Sequence, residues 1–495
     1  MLRFIVCTFA GSCVAAHAAP KPPVWSGFAD NAQHTAPAPT AAQALSKVRW
    51  QTPVDLSPPD NQDELTIHYA SPMMTGSGEL LVPVKTTAAG NFQLAALSEG
   101  TGATLWTLTT DYVLPLNDWT PAFPAQLANN GHVYIAAAGG TVLARGSLTK
   151  SNATAKRLAF YPIKLFNAHT AAMTRTVMID TPITSGAAGD IYFGFVVEGA
   201  NPAKLQSGIA RIGADGTGTW VNAAAASGDD TITEAAMDSA PAISSDGTTV
   251  YTAVSNGSSG YLLGLDTSTL ATKYKVALVD PASGQPSWIA DISSASPTVG
   301  PDGDVYFGVL ENPFPEHNNR GWLLHFDATL TTVKTPGSFG WDDTASIVPT
   351  SLIPNYKAAG SYLIMTKYNN YLGIGHGDGM NRIAILDPDA TQQDEYINPS
   401  VRVMKEVQTQ LNPTKYKAGG VYEWCVNTAV VDANTGAVFA GAEDGKFYRW
   451  DLASNTLSQK LTLNPPQPEG YTPTLVGPDG TVFAINDAIL YAVGK

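Results

Sequence analysis

Apolar residues in this chain alternate with polar or small ones in short runs, a period of two that predicts strands rather than helices. One unit recurs: a small residue and Pro, a short apolar run, a turn with Gly, then an alternating aromatic strand. It begins at Ser71-Pro72, Thr120-Pro121, Thr181-Pro182, Ala240-Pro241, Ser296-Pro297, Val348-Pro349 and Thr472-Pro473, and without the Pro at Thr428-Ala429. Asp-Gly or Asn-Gly pairs at Asn130-Gly131, Asp246-Gly247, Asp302-Gly303 and Asp479-Gly480 mark hairpins, because both residue types tolerate positive φ. A third strand ending on Asp follows at 261–266, 322–327, 383–387 and 447–451, and then a fourth, as at 103–106. The starts lie between 44 (428 to 472) and 80 (348 to 428) residues apart, a period suited to propeller blades and too long for a solenoid coil. The last unit has three strands, and residues 48–51 supply the missing one, which closes the ring. The prediction is an all-β, eight-bladed β-propeller of four-stranded antiparallel blades, with seven blades as the alternative because the unit at Val348 is irregular. Its organisation is read as a signal peptide over 1–19, a lead-in over 20–46 and one propeller domain over 47–495.

The stretch 95–106, Ala-Ala-Leu-Ser-Glu-Gly-Thr-Gly-Ala-Thr-Leu-Trp, resembles the strand-turn-strand of the pyrroloquinoline quinone enzyme repeat. Residues 25–35, from Trp25-Ser26-Gly27-Phe28 to Asn31-Ala32-Gln33-His34-Thr35, resemble the lead-in before many such propellers. The resemblance implies a quinoprotein-like fold over nearly the whole mature chain. It is specific for the fold and weak for the chemistry, and the dehydrogenase is the minority reading. That group's adjacent Cys-Cys needs two cysteines, and no Cys-x-x-Cys-His or matching Glu-Asn-Asp calcium set is found.

Charge and cysteines narrow the partners. With 28 Lys plus Arg against 42 Asp plus Glu the net charge is −14, so nucleic acid is a poor partner. Arg3, the apolar stretch 4–10 and the cleavage site Ala16-His17-Ala18, with alanine at its first and third positions, read as a secretory signal, placing the protein in the periplasm or outside the cell. Cys7 and Cys13 fall inside it, leaving Cys425 alone. Acylation at Cys13 is disfavoured because Ala10, not Leu, stands at the first position of that motif. No later stretch is apolar for long enough to span a membrane as a helix.

In a propeller the link from the outer strand of one blade to the inner strand of the next ends beside the central channel. The residues before each start are therefore expected to gather on one face: His68, Tyr69, Asp118, Trp119, Asp180, Asp238, Ser293, Ser294, Trp341, Asp342, Asp343, Trp424 and Asn427. Converging carboxylates can hold a hard cation or accept hydrogen bonds from hydroxyls, and the rings offer flat surfaces to a ligand. The opposing reading is that such aspartates cap turns and such tryptophans pack between blades. The longest unit adds a Gly-rich loop, 373–382, with His376, Asp378 and Arg382, and a second long segment, 398–424. Together these features favour a binding or scaffold module whose acidic, Trp-containing face takes a protein, glycan or small molecule, with no catalytic residue and no cofactor assigned. The alternative is an enzyme: an oxidoreductase using calcium and pyrroloquinoline quinone, or a carbohydrate-active propeller using a pair such as Asp118 and Asp342.

Overall fold

The computed structural model describes residues 22–58, 70–88, 90–115, 124–289, 295–397, 401–426, 428–466 and 474–495. The signal-peptide reading, and with it Cys7 and Cys13, lies outside these residues.

Eight antiparallel blades surround a central axis, as the repeat predicts. Blade 1 sets the pattern: Met73–Met74, Glu79–Lys85, Phe92–Ser98 and Thr104–Thr110 run from the axis outward. One line of partners crosses it, Met73 to Leu81 to Ala96 to Trp106. Second strands are sandwiched between neighbouring blades, so they are apolar on both faces, as in Val305–Val309, where every residue is buried. Outer strands meet water on one side and alternate, as in Thr456–Thr462. Hydroxyls tie the inner strands of adjacent blades to each other: Ala240 N donates to Ser296 Oγ (2.9 Å), Ser296 N to Thr344 Oγ1 (2.9 Å), and Ser346 Oγ meets Thr428 Oγ1 (2.9 Å). This accounts for the small hydroxyl residue in the repeat, since each hydroxyl satisfies a buried group of its neighbour.

The register differs from the sequence reading in blades 3, 4 and 6. In blade 6 the inner strand is Ser346–Pro349, so Val348-Pro349 ends it and Thr344-Ala345 takes the starting position. In blade 2 it begins at Ala125, and the proposed start Thr120-Pro121 lies outside the described residues. In blades 3 and 4 the small-Pro pair breaks an inner strand instead of opening it: Val177–Ile179 and Thr184–Ser185 both pair with Ile191–Val197, and Glu234–Ala235 and Ala242–Ile243 both pair with Thr249–Ser255. Proline has no amide hydrogen to give to a ladder, which explains the break. Blade 5 has three regular strands, and its outer side is an irregular segment bridged at Val333 and Gly337.

Lys47–Pro53 pairs with Ile489–Gly494, from Lys47 opposite Gly494 to Pro53 opposite Ile489, and completes blade 8. Closure covers the edge of Ile489–Gly494 that would otherwise lie open at the seam. Across it, Trp50 Nε1 donates to Glu99 O (2.8 Å) and Arg49 pairs with Asp479 (3.0 Å). The Glu99 carboxyl packs onto Gly477, where a Cβ would lie 2.1 Å from its Oε1. Burial, together with the hydrogen bond and charge of Asp479, pushes Glu99 up to about 7, against the pull of Arg49. Burial opposes ionisation of Asp479 too, but Thr481, Arg49 and Glu99 bring it down to about 2. The fold thus favours protonated Glu99, and its contribution is lost as pH rises from the ordinary glutamate range through about 7. Between pH 5.5 and 8.5 the melting temperature is expected to fall by about 1–2 °C more in the parent than in Glu99→Gln. Parallel pH slopes in calorimetry would refute this.

Candidate functional site

Two charged clusters stand at the end of the channel where the inner strands begin. Asp180, Asp238 and Asp342 occupy equivalent places, each five residues before an inner-strand position (Ser185, Ile243, Ile347) that pairs with the second strand. Asp238 and Asp342 hold φ values of 60° and 48°, a left-handed turn that aspartate tolerates better than most residues. The turn-forming reading therefore explains part of why aspartate stands there.

Asp180 and Asp238 meet in the first cluster. Asp238 N donates to Asp180 O (2.9 Å), and Asp180 packs against Gly194, whose Cβ would fall 2.9 Å from its Oδ1. Tyr112 is buried beside them and donates to Ile179 O (2.6 Å). Burial and the two carboxylates hold its phenol well above the ordinary range.

The second cluster joins blades 6 and 7. Lys367 takes the place in blade 6 that Gly194 takes in blade 3, and its ammonium pairs with Asp342, with both side chains almost wholly buried. Asp343 accepts from Thr366 Oγ1 and from Lys367 N (3.2 Å). Burial pushes Asp343 up to about 8, with Asp342 adding to the rise and Lys367 and Thr366 opposing it. Burial disfavours charge on Lys367, but Asp342, Cys425 and Asp343 outweigh it and hold the ammonium above the ordinary lysine value. Cys425 is half-buried and lines a cleft between blades 7 and 8 with Thr428, Gly441, Lys446 and Asn486. Asp342 and Asp343, which the sequence places on an acidic face, are thus spent on internal partners. Among the described residues no three of His, Cys, Asp and Glu come close enough to share a metal ion.

The remaining expected residues separate. His68, Tyr69, Asp118, Trp119, Ser293, Ser294 and Asn427 lie outside the described residues. Trp341 is buried, its amide donating to Arg320 O (3.1 Å). Trp424 is buried in the core of blades 6 and 7 against Tyr448 (5.2 Å between rings), and its backbone is clamped by the Asn369 amide (3.0 and 3.2 Å). In the Gly-rich loop, Asp378 accepts from Asn370 Nδ2 (2.8 Å) and Met380 N (2.9 Å), Arg382 donates to Met380 O (3.1 Å), and His376 is exposed, held through its own amide by Asn318 (2.7 Å). These bonds shape the loop and do not bring His376 and Asp378 onto one ion.

That loop belongs to a crown raised over blades 5 to 7 on the mouth side. Segments 311–321, 369–381 and 412–424 interlock: Asn318 Nδ2 donates to Asn370 Oδ1 (2.9 Å), and Val421 N to Gly379 O (2.9 Å). Arg320, wholly buried, pins the crown from below through Ser338 O (2.7 and 3.0 Å), Tyr368 O (3.4 Å) and Asn369 O, with Tyr396 stacked 3.6 Å away. Beside it Ser338, His317 and Asp394 are clustered, but Ser338 Oγ and Asp394 Oδ1 address the same ring nitrogen, His317 Nε2, and all three are buried. A relay needs the acid on the other nitrogen, which here meets Gly321 O (2.9 Å), so this is a structural knot. On top, Phe314 (49%), Tyr416 (47%), Leu372 (41%) and the neighbouring Trp288 (40%) are exposed.

Sequence reasoning missed Lys367 and Arg320. For Lys367 a signal existed: a lone lysine inside the apolar strand Tyr362–Tyr368. For Arg320 there was none.

No protein-family model and no curated protein matches the sequence. Among solved structures the chain is similar to a europium-containing methanol dehydrogenase, with 10% identity over 93% of this chain and 89% of that one at a TM-score of 0.58. It is also similar to Sqt1 of Saccharomyces cerevisiae (10%, 92% and 100%, 0.52) and to quinohemoprotein alcohol dehydrogenase ADHIIG of Pseudomonas putida HK5 (11%, 96% and 76%, 0.50). At such identities the shared feature is the fold, a β-propeller, and fold does not assign chemistry.

Proposed function

We propose that this chain is an exported binding or scaffold propeller that engages a protein partner through the crown and the adjoining mouth over blades 5 to 7. The observation that carries this reading is the crown: three interlocked loops on a rigid ring, presenting Phe314, Leu372 and Tyr416 to solvent. Exposed aromatic and apolar side chains held on a pre-formed support are what a protein interface uses as anchors. The secretory reading of the first residues supports export.

The alternative, an oxidoreductase with calcium and pyrroloquinoline quinone, needs carboxylate oxygens open to the ion. What favours the binding reading is that two of the described mouth carboxyls already have internal partners, Asp342 with Lys367 and Asp343 with Thr366 and the Lys367 amide.

A photo-crosslinking amino acid at Tyr416 or Phe314, introduced in the native host, is expected to yield one discrete protein adduct. The same group at Thr456, on the outer strand of blade 7, is expected to yield none. No adduct from the crown, or the same adducts from all three positions, would refute the proposal. A rise in melting temperature of the purified protein on adding calcium with the quinone would favour the oxidoreductase.

A further inference from the structure

Inner strands of a propeller face the axis with one unpaired edge, and each buried amide there needs an acceptor. Here a single segment supplies six of them. Trp25 O accepts from Met74 N (2.8 Å), Ser26 O from Leu127 N (2.8 Å), Ala32 O from Ile243 N (2.7 Å), Gln33 O from Val299 N (2.9 Å), Thr35 O from Ile347 N (3.3 Å) and Ala36 O from Val431 N (2.9 Å). These amides belong to blades 1, 2, 4, 5, 6 and 7 in that order, so the segment walks round the axis as the blades do. It lies toward the hairpin end of the inner strands, opposite the mouth, since each of these amides follows the inner-strand start. Side chains add to the hold. Trp25, Ala29, Ala36 and His34 are buried, His34 Nδ1 meets Pro297 O (2.8 Å), Gln33 Nε2 donates to Ile243 O (2.8 Å), and Ser71 Oγ donates to Gly27 O (3.1 Å). The segment is not in a conformation it would choose alone. Ala29, Asp30, His34 and Ala36 all have left-handed φ, between 49° and 70°, which costs non-glycine residues energy unless the surroundings impose it.

We infer that the ring of inner-strand amides at the channel floor is a peptide-binding site and that residues 25–36 are its captive ligand. The ligand class is an irregular, extended peptide that offers successive carbonyls to successive blades, a circular form of strand addition. Bound there, it stitches six blades together and leaves the mouth as the channel's access. The inference is independent of the crown proposal, since it concerns the opposite end of the axis.

The test nicks the folded full chain. A protease site is inserted between Pro39 and Thr40, in the partly exposed link to the first strand. After cleavage the N-terminal peptide is expected to co-elute with the ring on gel filtration. The melting temperature, independent of concentration in the intact chain, is expected to drop by several degrees on hundredfold dilution of the nicked one, as mass action requires of a bound ligand. Hydrogen exchange of the intact chain gives a second readout that needs no cleavage. The amides of Met74, Leu127, Ile243, Val299, Ile347 and Val431 are expected to exchange at least tenfold more slowly than those of Ser185 and Val476. These hold the same places in blades 3 and 8, and among the described residues they take no carbonyl from the segment. A peptide that washes out while the nicked ring melts at the intact temperature, or eight amides that exchange alike, would overturn the inference.

Discussion

Lys367→Met is expected to destabilise the protein by about 3–5 kcal/mol, because it strands a buried carboxylate whose counter-ion it removes. Lys367 and Asp342 are 1% and 3% exposed at the side chain, so solvent cannot compensate the loss. The effect should depend on pH. Asp343 is already pushed up to about 8 with Lys367 opposing the rise, so the variant holds that proton more tightly and is least destabilised in acid. Asp342→Asn in the Lys367→Met background keeps a residue suited to the left-handed turn at 342 and removes the stranded charge. The double variant is expected to recover more than half of the loss, since a buried pair replaced as a unit costs far less than a pair broken. Urea unfolding of the four proteins of this cycle at pH 5.5 and 8.5 decides it. A single variant as stable as the parent at pH 8.5, or a double variant worse than the single, would show that the two groups do not compensate each other.

The fold was legible because a propeller repeats its instructions. Eight starts and several Asp-Gly hairpins, together with a terminal unit one strand short, agree on one topology, and an error at any one start leaves the others standing. The errors made are local ones. Val348-Pro349 mimics the small-Pro signal at the wrong end of its strand, and Thr181-Pro182 and Ala240-Pro241 mark breaks where a strand was expected to start. The site was less legible for a physical reason. A sequence shows which residues approach the mouth, but the partners that occupy them come from the neighbouring strand of the same blade, as Lys367 does for Asp342, or from the adjacent blade, as Asn369 does for the Trp424 backbone. The lead-in was visible as a motif, Trp25 to Thr35, yet its role depends on backbone carbonyls, which carry no side-chain signature.

Arg320 carries the other large expected effect. Its guanidinium is wholly buried and is held by carbonyls and rings: Ser338 O takes two hydrogen bonds, Tyr368 O and Asn369 O take others, and Tyr396, Tyr368 and Phe339 lie 3.6, 4.4 and 5.5 Å from its central carbon. This arrangement suits a flat, forked, weakly hydrated cation and no other side chain. Lysine would keep the charge but lose the fork, leaving at least one carbonyl on blade 5 or blade 6 without a donor and a more strongly hydrated ammonium in the core. Each hydrogen bond to a charged group contributes about 1.5–3 kcal/mol, so Arg320→Lys is expected to cost at least about 3 kcal/mol despite conserving charge. Arg382→Lys, at a partly buried position with one carbonyl partner, is expected to cost under about 0.5 kcal/mol. The two substitutions are chemically identical, so the contrast isolates the site. Because Arg320 joins Ser338 in blade 5 to the segment 368–369 that opens the crown, its loss should also loosen the crown before the ring. Limited proteolysis is therefore expected to cut Arg320→Lys first within 369–381 or 412–424, at temperatures where the parent and Arg382→Lys stay intact. Equal stability of the two variants, or first cuts in the outer strands, would show that the guanidinium does not hold the crown to the ring.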